Sequence, residues 1–298
     1  MNLQIRRTGF TLHFSAALLA PAVLALSACA SVHKAPAPGD ATLTPQRIAA
    51  IIASPDRSAA DRSNDARRKP DQMLAFIGMR PGMKVLDLSA GGGYTTELLA
   101  RAVGPAGQVF GQSPPPDAIR AHQAAAPEGT AYPTAPSAPA AAAPAVPAAR
   151  RTSAQALAAR AGNPAVANIV PVVRKFEDPV PPAFASAGLD LVTLMFNYHD
   201  LGHWGVDRTS MNNAIFNALK PGGMYVIADH SGRPGTGISE SGTLHRIEES
   251  FLRREVEAAG FKLAAQADFL RNPADPRDKN TPEPPQPKDE FVLKFVKP

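Results

Sequence analysis

Strand-like and helix-like hydrophobic patterns alternate along most of the chain. Residues 83–88 form a short apolar run, and Tyr94–Val103 carries apolar positions at helical spacing. Residues 108–111 read as a second strand. After a long interruption, 154–161 reads as a helix and Ile169–Val173 as a strand. Pro171 removes a ladder donor from that strand, which places it at a sheet edge. Residues 189–196 are almost continuously apolar, as in a parallel strand buried on both faces. Met211, Ile215 and Leu219 recur at steps of four and predict an amphipathic helix over 207–219. A strand follows at 224–228. A single helix is predicted over 244–259, with Leu244, Ile247 and Phe251 on one face and Gly260 as its stop. Strand-like runs at 261–270 and Glu290–Val296 flank a polar, proline-rich connection at 271–289. This order predicts an α/β sandwich around a mostly parallel sheet.

Upstream, Thr44-Pro45 offers an N-cap followed by a proline at the first helical position. Asp61, Arg62, Asp65 and Arg68 then stand at helical spacing and read as a solvated face laced by i,i+4 pairs.

Composition refines this picture. Of the 38 residues from 113 to 150, 15 are Ala and 9 are Pro. Such a segment buries little and breaks both helices and strands, so it reads as a disordered insert within the domain. The single Cys excludes a disulfide framework and any multi-cysteine metal site.

That cysteine closes an N-terminal pattern. Arg6 and Arg7 precede an apolar stretch at 14–26, too short for an ordinary membrane-spanning helix, which needs about 20 residues. Leu26-Ser27-Ala28-Cys29 follows and resembles the bacterial lipobox. Phe10 sits one place late for a twin-arginine signal. The resemblance implies cleavage before Cys29 and lipid attachment to its sulfur. An ordinary cleaved signal with an incidental Cys is the alternative. The expected plan is a signal peptide at 1–28, a tether at 29–43 and one domain at 44–298. The expected location is the periplasmic side of the envelope, lipid-anchored, with the outer membrane as the destination. The net charge of +5 falls to +3 without residues 1–28, so no nucleic-acid partner is expected.

The strongest chemical motif is Val85-Leu86-Asp87-Leu88-Ser89-Ala90-Gly91-Gly92-Gly93-Tyr94-Thr95-Thr96. It reads as strand, glycine-rich turn and helix start, a place where backbone N–H groups can approach a ligand. It lacks the Gly-Lys-Ser/Thr of a phosphate loop, and Thr96 replaces the third Gly of a dinucleotide fingerprint. The segment resembles motif I of the class I S-adenosylmethionine-dependent methyltransferases. Leu219-Lys220-Pro221-Gly222-Gly223 resembles the turn before that fold's fifth strand, and Glu257-Ala258-Ala259-Gly260-Phe261 its junction into the sixth. Asn197-Tyr198-His199-Asp200, Asp229-His230, Thr243-Leu244-His245-Arg246 and Leu270-Arg271-Asn272-Pro273 resemble an uncharacterised group of bacterial predicted methyltransferases.

The resemblance implies a Rossmann-like, three-layer sandwich with a seven-stranded sheet of order 3-2-1-4-5-7-6, its last strand antiparallel. It implies S-adenosyl-L-methionine as cofactor. Asp87, Ser89, Ala90, Gly91, Gly92 and Gly93 would face its methionine part. Gln112 would stand where an acid grips the ribose, Phe176 and Glu177 would flank the adenine, and Asn197 would join the cofactor site. Ser89 departs from the usual Gly, and Gln112 from the usual carboxylate.

The candidate catalytic set is Tyr198, His199, Asp200 and His230, with His199 as general base. The competing reading is that His199 shapes its loop through hydrogen bonds. His203 and Trp204 follow, and His245 joins them near one mouth. Trp204 reads as a loop anchor rather than a stacking group. His199 and His203 are four apart, and Asp200 and Asp229 stand roughly where catechol-type methyltransferases hold Mg²⁺. Histidine suits zinc or iron better, and the cluster is assigned to polar loop structure, with no metal ligand named. The expected activity is methyl transfer to a small-molecule acceptor. The alternatives are a ligand-binding protein on the same scaffold, because an exported chain is separated from cytoplasmic cofactor, and a metal-dependent envelope enzyme.

Overall fold

The computed structural model describes Met1, Gly9 and residues 41–118, 151–282 and 284–298. The proposed signal peptide, nearly all of the tether and most of the Pro/Ala insert lie outside the described residues. From residue 41 onward the chain falls in one compact unit, Pro36–Pro298. Among the described residues no helix is long and apolar enough to cross a membrane.

Seven strands form one sheet: β1 (Lys84–Leu88), β2 (Gln108–Ser113), β3 (Ile169–Val173), β4 (Leu189–Met195), β5 (Leu219–His230), β6 (Lys262–Ala267) and β7 (Glu290–Val296). Their order is β3-β2-β1-β4-β5-β7-β6, with β7 antiparallel to both neighbours and the remaining pairs parallel. This is the predicted topology. β3 lies at the edge with Pro171 opposite Gly111, as the missing N–H requires.

Side-chain alternation divides the core in two. Leu86, Leu88, Val192, Leu194, Tyr225 and Ile227 pack on one face, with Met211 and Ile215 of one helix and Leu252 and Val256 of another. Val85, Val109, Leu191 and Val226 pack on the other, beneath helices bearing Ile48, Leu74, Leu99 and Leu157. The helices over this second face are α1 (Pro45–Ile52), α3 (Pro70–Ile77), α4 (Tyr94–Val103) and α5 (Ser153–Ala161); α2 (Ala59–Arg68) precedes α3. Thr44 caps α1 as expected, accepting from the Arg47 N–H. The domain begins slightly earlier than predicted: the Leu43 N–H bonds the Met79 carbonyl, and its side chain packs on this core.

The predicted helix over 244–259 begins only at Glu249, and Leu244 instead ends a separate short helix. The remaining helices are α6 (Asp200–His203), α7 (Arg208–Ala218), α8 (Ser241–Leu244) and α9 (Glu249–Ala258), and the break between α8 and α9 begins at His245, whose φ is 51°. The cause is Arg246, a fully buried guanidinium that donates to the Ser231 and Lys279 carbonyls and pairs with Asp275 at 2.9 Å. Ile247 then forms a parallel bridge with Ser231. A helical path would withdraw Arg246 from all three partners.

Candidate functional site

The motif-I loop joins β1 to α4 at the carboxyl edge of the sheet, where ligand crevices form in such folds. Ser89 adopts φ 53°, a left-handed conformation that explains the usual Gly at this place. Its N–H is held by Gln112 Oε1 at 3.0 Å, and its hydroxyl bonds Asn197 Oδ1. A cleft of about 310 Å³ opens here, lined by Asp87, Ser89, Ala90, Gly91, Gly92 and Arg68 among others. A Cβ at Gly92 would enter open space. At Gly93, with φ 84°, it would lie 2.8 Å from Leu157 and Arg160. Gly93 therefore serves packing against α5 and not the ligand, a correction to its expected role.

Asp87 forms the floor of the cleft and is almost fully buried. Its carboxylate accepts from Thr96 Oγ1 at 2.6 Å and Thr193 Oγ1 at 2.7 Å. Burial raises its pKa to about 6, and the two hydroxyls and Arg68 only partly offset that rise. Thr96, which breaks the dinucleotide fingerprint, is thus the partner of this carboxylate.

Gln112 does not fill the ribose role expected of it. It is wholly buried, and its amide is consumed by the backbone: Oε1 by the Ser89 N–H and Nε2 by the Arg174 carbonyl at 2.7 Å. It splints β1 to the segment after β3. Phe176 and Glu177 line a second recess of about 600 Å³, with Pro114, Pro115 and Lys175. Phe176 stacks on Trp204, ring centroids 5.9 Å apart, so the Trp is a loop anchor as read from sequence.

The segment after β4 separates its residues. Tyr198 is fully buried in the core; its hydroxyl donates to Glu255 at 3.0 Å and accepts from Asn212 at 2.9 Å. It has no part in the mouth and leaves the candidate catalytic set. Asn197 bridges Ser89 to Asp200. His199 is buried between two carboxylates, with Nδ1 2.6 Å from Asp229 Oδ1 and Nε2 3.1 Å from Asp200 Oδ1. Burial opposes its charge, but Asp229 and Asp200 outweigh burial and raise its pKa to about 9. An imidazolium with both nitrogens engaged cannot take a proton near neutral pH, so His199 is not the free general base expected. Asp200 is held well below the usual carboxylate range, against burial, by His199 and His245. The His245 Nδ1 lies 2.8 Å from Asp200 Oδ1.

His230 differs from His199. Its Nδ1 lies 3.0 Å from Glu290 Oε1, without hydrogen-bond geometry. Burial and nearby positive charge, first Lys288, hold His230 well below its ordinary pKa. Burial lifts Glu290 to about 7, with Arg67, Arg68 and Lys288 opposing. The two face each other as a nearly neutral pair in which Glu290 is the member that gains or loses a proton near pH 7 while His230 stays neutral.

Sequence reasoning missed the contribution of α2. Instead of a solvated face with internal pairs, Asp61 pairs with Arg160 at 2.6 Å and Asp65 with Arg57 at 2.8 Å. Arg160 also donates to the Gly92 carbonyl at 2.6 Å, so α2 is tied to the glycine loop. Arg68 lies 4.1 Å over the Phe196 ring, and Arg67 reaches Glu290 at 3.3 Å. A third cavity of about 720 Å³ adjoins this pair, lined by Arg67, Lys69, Leu270, Arg271, Lys288 and Glu290 among others. The register of β5 with β7 is the signal that could have found Glu290, since it sets Glu290 opposite His230.

The comparisons with known proteins agree with this architecture. Residues 62–119 match the family model of protein-L-isoaspartate(D-aspartate) O-methyltransferase, a match that covers α2 through β2 and not the remainder. A solved S-adenosylmethionine-dependent methyltransferase from Aquifex aeolicus superposes with a TM-score of 0.52. It shares 15% identity, over 86% of this chain and 100% of that one. The chain has the Rossmann-like methyltransferase fold. A chain of the complex of the Haloferax volcanii Trm112 methyltransferase activator with a protein assigned as a methyltransferase gives a TM-score of 0.50. Identity is 18%, over 86% of this chain and 100% of that one. No curated protein matches by sequence.

Proposed function

We propose that the protein transfers a methyl group from S-adenosyl-L-methionine to a small acceptor. The observation that carries this reading is the cleft itself. A carboxylate, Asp87, lies at its floor, a glycine turn with open space beside Gly92 forms its wall, and an aromatic recess beyond β2 presents Phe176 and Glu177. These features fit a ligand with a cationic amino-acid end and an aromatic end. Asp87, Ser89, Ala90, Gly91 and Gly92 would hold the first, and Phe176 and Glu177 the second. The cofactor supplies a methyl already activated by a sulfonium, so the protein's work is alignment and removal of one proton. We assign the proton to the Glu290–His230 pair, and the acceptor to the adjoining cavity. Arg67, Lys69, Arg271 and Lys288 there favour an acceptor with an acidic group.

Titration of the protein with S-adenosylmethionine and its demethylated product is expected to show saturable binding of both, with an affinity that falls in Asp87 variants. No binding at millimolar concentration sinks the reading. A ligand-binding role without methyl transfer draws support from Gln112, whose amide is spent on backbone and leaves the usual ribose carboxylate unreplaced. Binding without turnover over a broad acceptor panel would favour it.

For location, we propose lipid attachment at Cys29 on the periplasmic side of the envelope. Radiolabelled palmitate fed to expressing cells is expected to label the chain, and Cys29→Ser is expected to abolish both the label and membrane fractionation. Equal labelling of Cys29→Ser contradicts the anchor.

A further inference from the structure

We propose that His199, Asp200 and His245 form a binding site for a zinc ion, independent of the methyl-transfer reading. The argument rests on convergence. Two imidazoles from separate elements aim at one carboxylate oxygen: His199 Nε2 stands 3.1 Å and His245 Nδ1 2.8 Å from Asp200 Oδ1. One ligand atom from each of the three lies within 4.8 Å of the others. Zinc takes nitrogen and carboxylate oxygen at about 2.0–2.2 Å, which sets tetrahedral neighbours roughly 3.3–3.5 Å apart. The two nitrogen–oxygen separations would therefore have to widen by only about 0.2–0.7 Å to admit an ion. Two histidines with one carboxylate are also a donor set that leaves a coordination position for water or an acceptor oxygen.

The surrounding shell has the form that orients such ligands. Asp229, fully buried, bonds His199 Nδ1 at 2.6 Å, which points Nε2 at the cluster centre; an ion bound there would displace the Nε2 proton while the Nδ1 proton stays on Asp229. Asp229 is itself fixed by the backbone N–H groups of His199 and His230. Asn197 donates to the other oxygen of Asp200. The Ser241 hydroxyl bonds the His199 carbonyl and the N–H of His203, binding α6 to α8, so that the ligand-bearing segments are locked together. His203 Nδ1 lies 3.9 Å from the same Asp200 oxygen, at the rim. The αL corner that brings His245 inward is the one imposed by Arg246, so the break in the predicted helix is what completes the site.

The test is zinc chloride titrated into the full chain, purified in detergent without a histidine tag and stripped with chelator. One ion per chain is expected. His245→Gln and Asp200→Asn should each weaken binding at least ten-fold, and Asp229→Asn by about 10–100-fold through lost orientation of His199. Cobalt(II) in place of zinc should give the visible absorption of a four-coordinate site, a readout on the wild-type chain that needs no variant to fold. Absence of saturable zinc binding together with a hexa-aqua-like cobalt spectrum overturns the proposal. So does binding that persists unchanged in both His245→Gln and Asp200→Asn.

Discussion

Asp87→Asn is expected to stabilise the fold while weakening cofactor binding about 10–100-fold. The carboxyl is buried with two hydroxyl partners and no ion pair, and its pKa in the folded protein is about 6. The ordinary value of 3.8 applies once the chain unfolds. Between these values the folded state holds a proton that the unfolded state releases, so this group's contribution to stability falls as pH rises from about 4 to about 6. At pH 7 the buried charge costs on the order of 3 kcal/mol, and an amide of the same shape removes that cost. Thr96 and Thr193 can reorient, one hydroxyl accepting from the new NH₂. The same charge faces the cationic end of the proposed cofactor, and losing a charged partner there accounts for the fall in affinity. Urea denaturation of both proteins should show near-equal stability at pH 4 and a gap that opens by pH 7. Calorimetric titration with S-adenosylmethionine checks the second half. A variant no more stable at pH 7, or one that binds as tightly as wild type, contradicts the assignment.

Arg246→Ala is expected to destabilise the domain by about 3–5 kcal/mol, because it leaves the buried Asp275 carboxylate without its cation and the buried Ser231 carbonyl without this donor. Asp275 also accepts from the backbone of Asp289 and Arg277, so the whole 271–289 connection is organised around this pair. Loss of Arg246 should raise proteolytic cleavage within that connection. It should also release His245 from its left-handed corner. Thermal melts and limited proteolysis read the two effects; a melting temperature within a degree or two of wild type would show that the pair is dispensable.

The edge position of β3 and the cap of α1 follow from local rules and were legible in the chain, while the strand order was legible only as what the resemblance to class I methyltransferases implies. Continuous apolar runs mark parallel strands, a proline marks an edge, and a glycine turn after a strand marks the crevice. The residues around that crevice were legible only in part. Motif I located Asp87 and the loop because chemistry and backbone conformation coincide there. The residues after β4 were located as a group, yet their roles depended on partners remote in sequence: Glu255 and Asn212 withdraw Tyr198 into the core, and Asp229 and Asp200 hold His199 as a cation. Arg67 and Arg68 looked like solvated charges because helical spacing reports amphipathicity and α2 has almost no apolar stripe. Arg68 is instead packed over Phe196, and Arg67, though exposed, reaches Glu290, which faces His230.

By itself, then, the sequence determined the individual strands, the edge strand and the glycine turn, since propensity, periodicity and turn chemistry act over a few residues, and the sheet's order followed from the resemblance. Only the tertiary structure decided protonation and pairing. A carboxylate's charge state depends on burial and on neighbours remote in sequence: Thr193 reaches Asp87 across 106 positions, and Arg160 reaches Asp61 across 99. Those separations carry no periodic signal, and they turn a cluster of histidines and acids into one cation clamp, one neutral pair and a zinc-binding geometry.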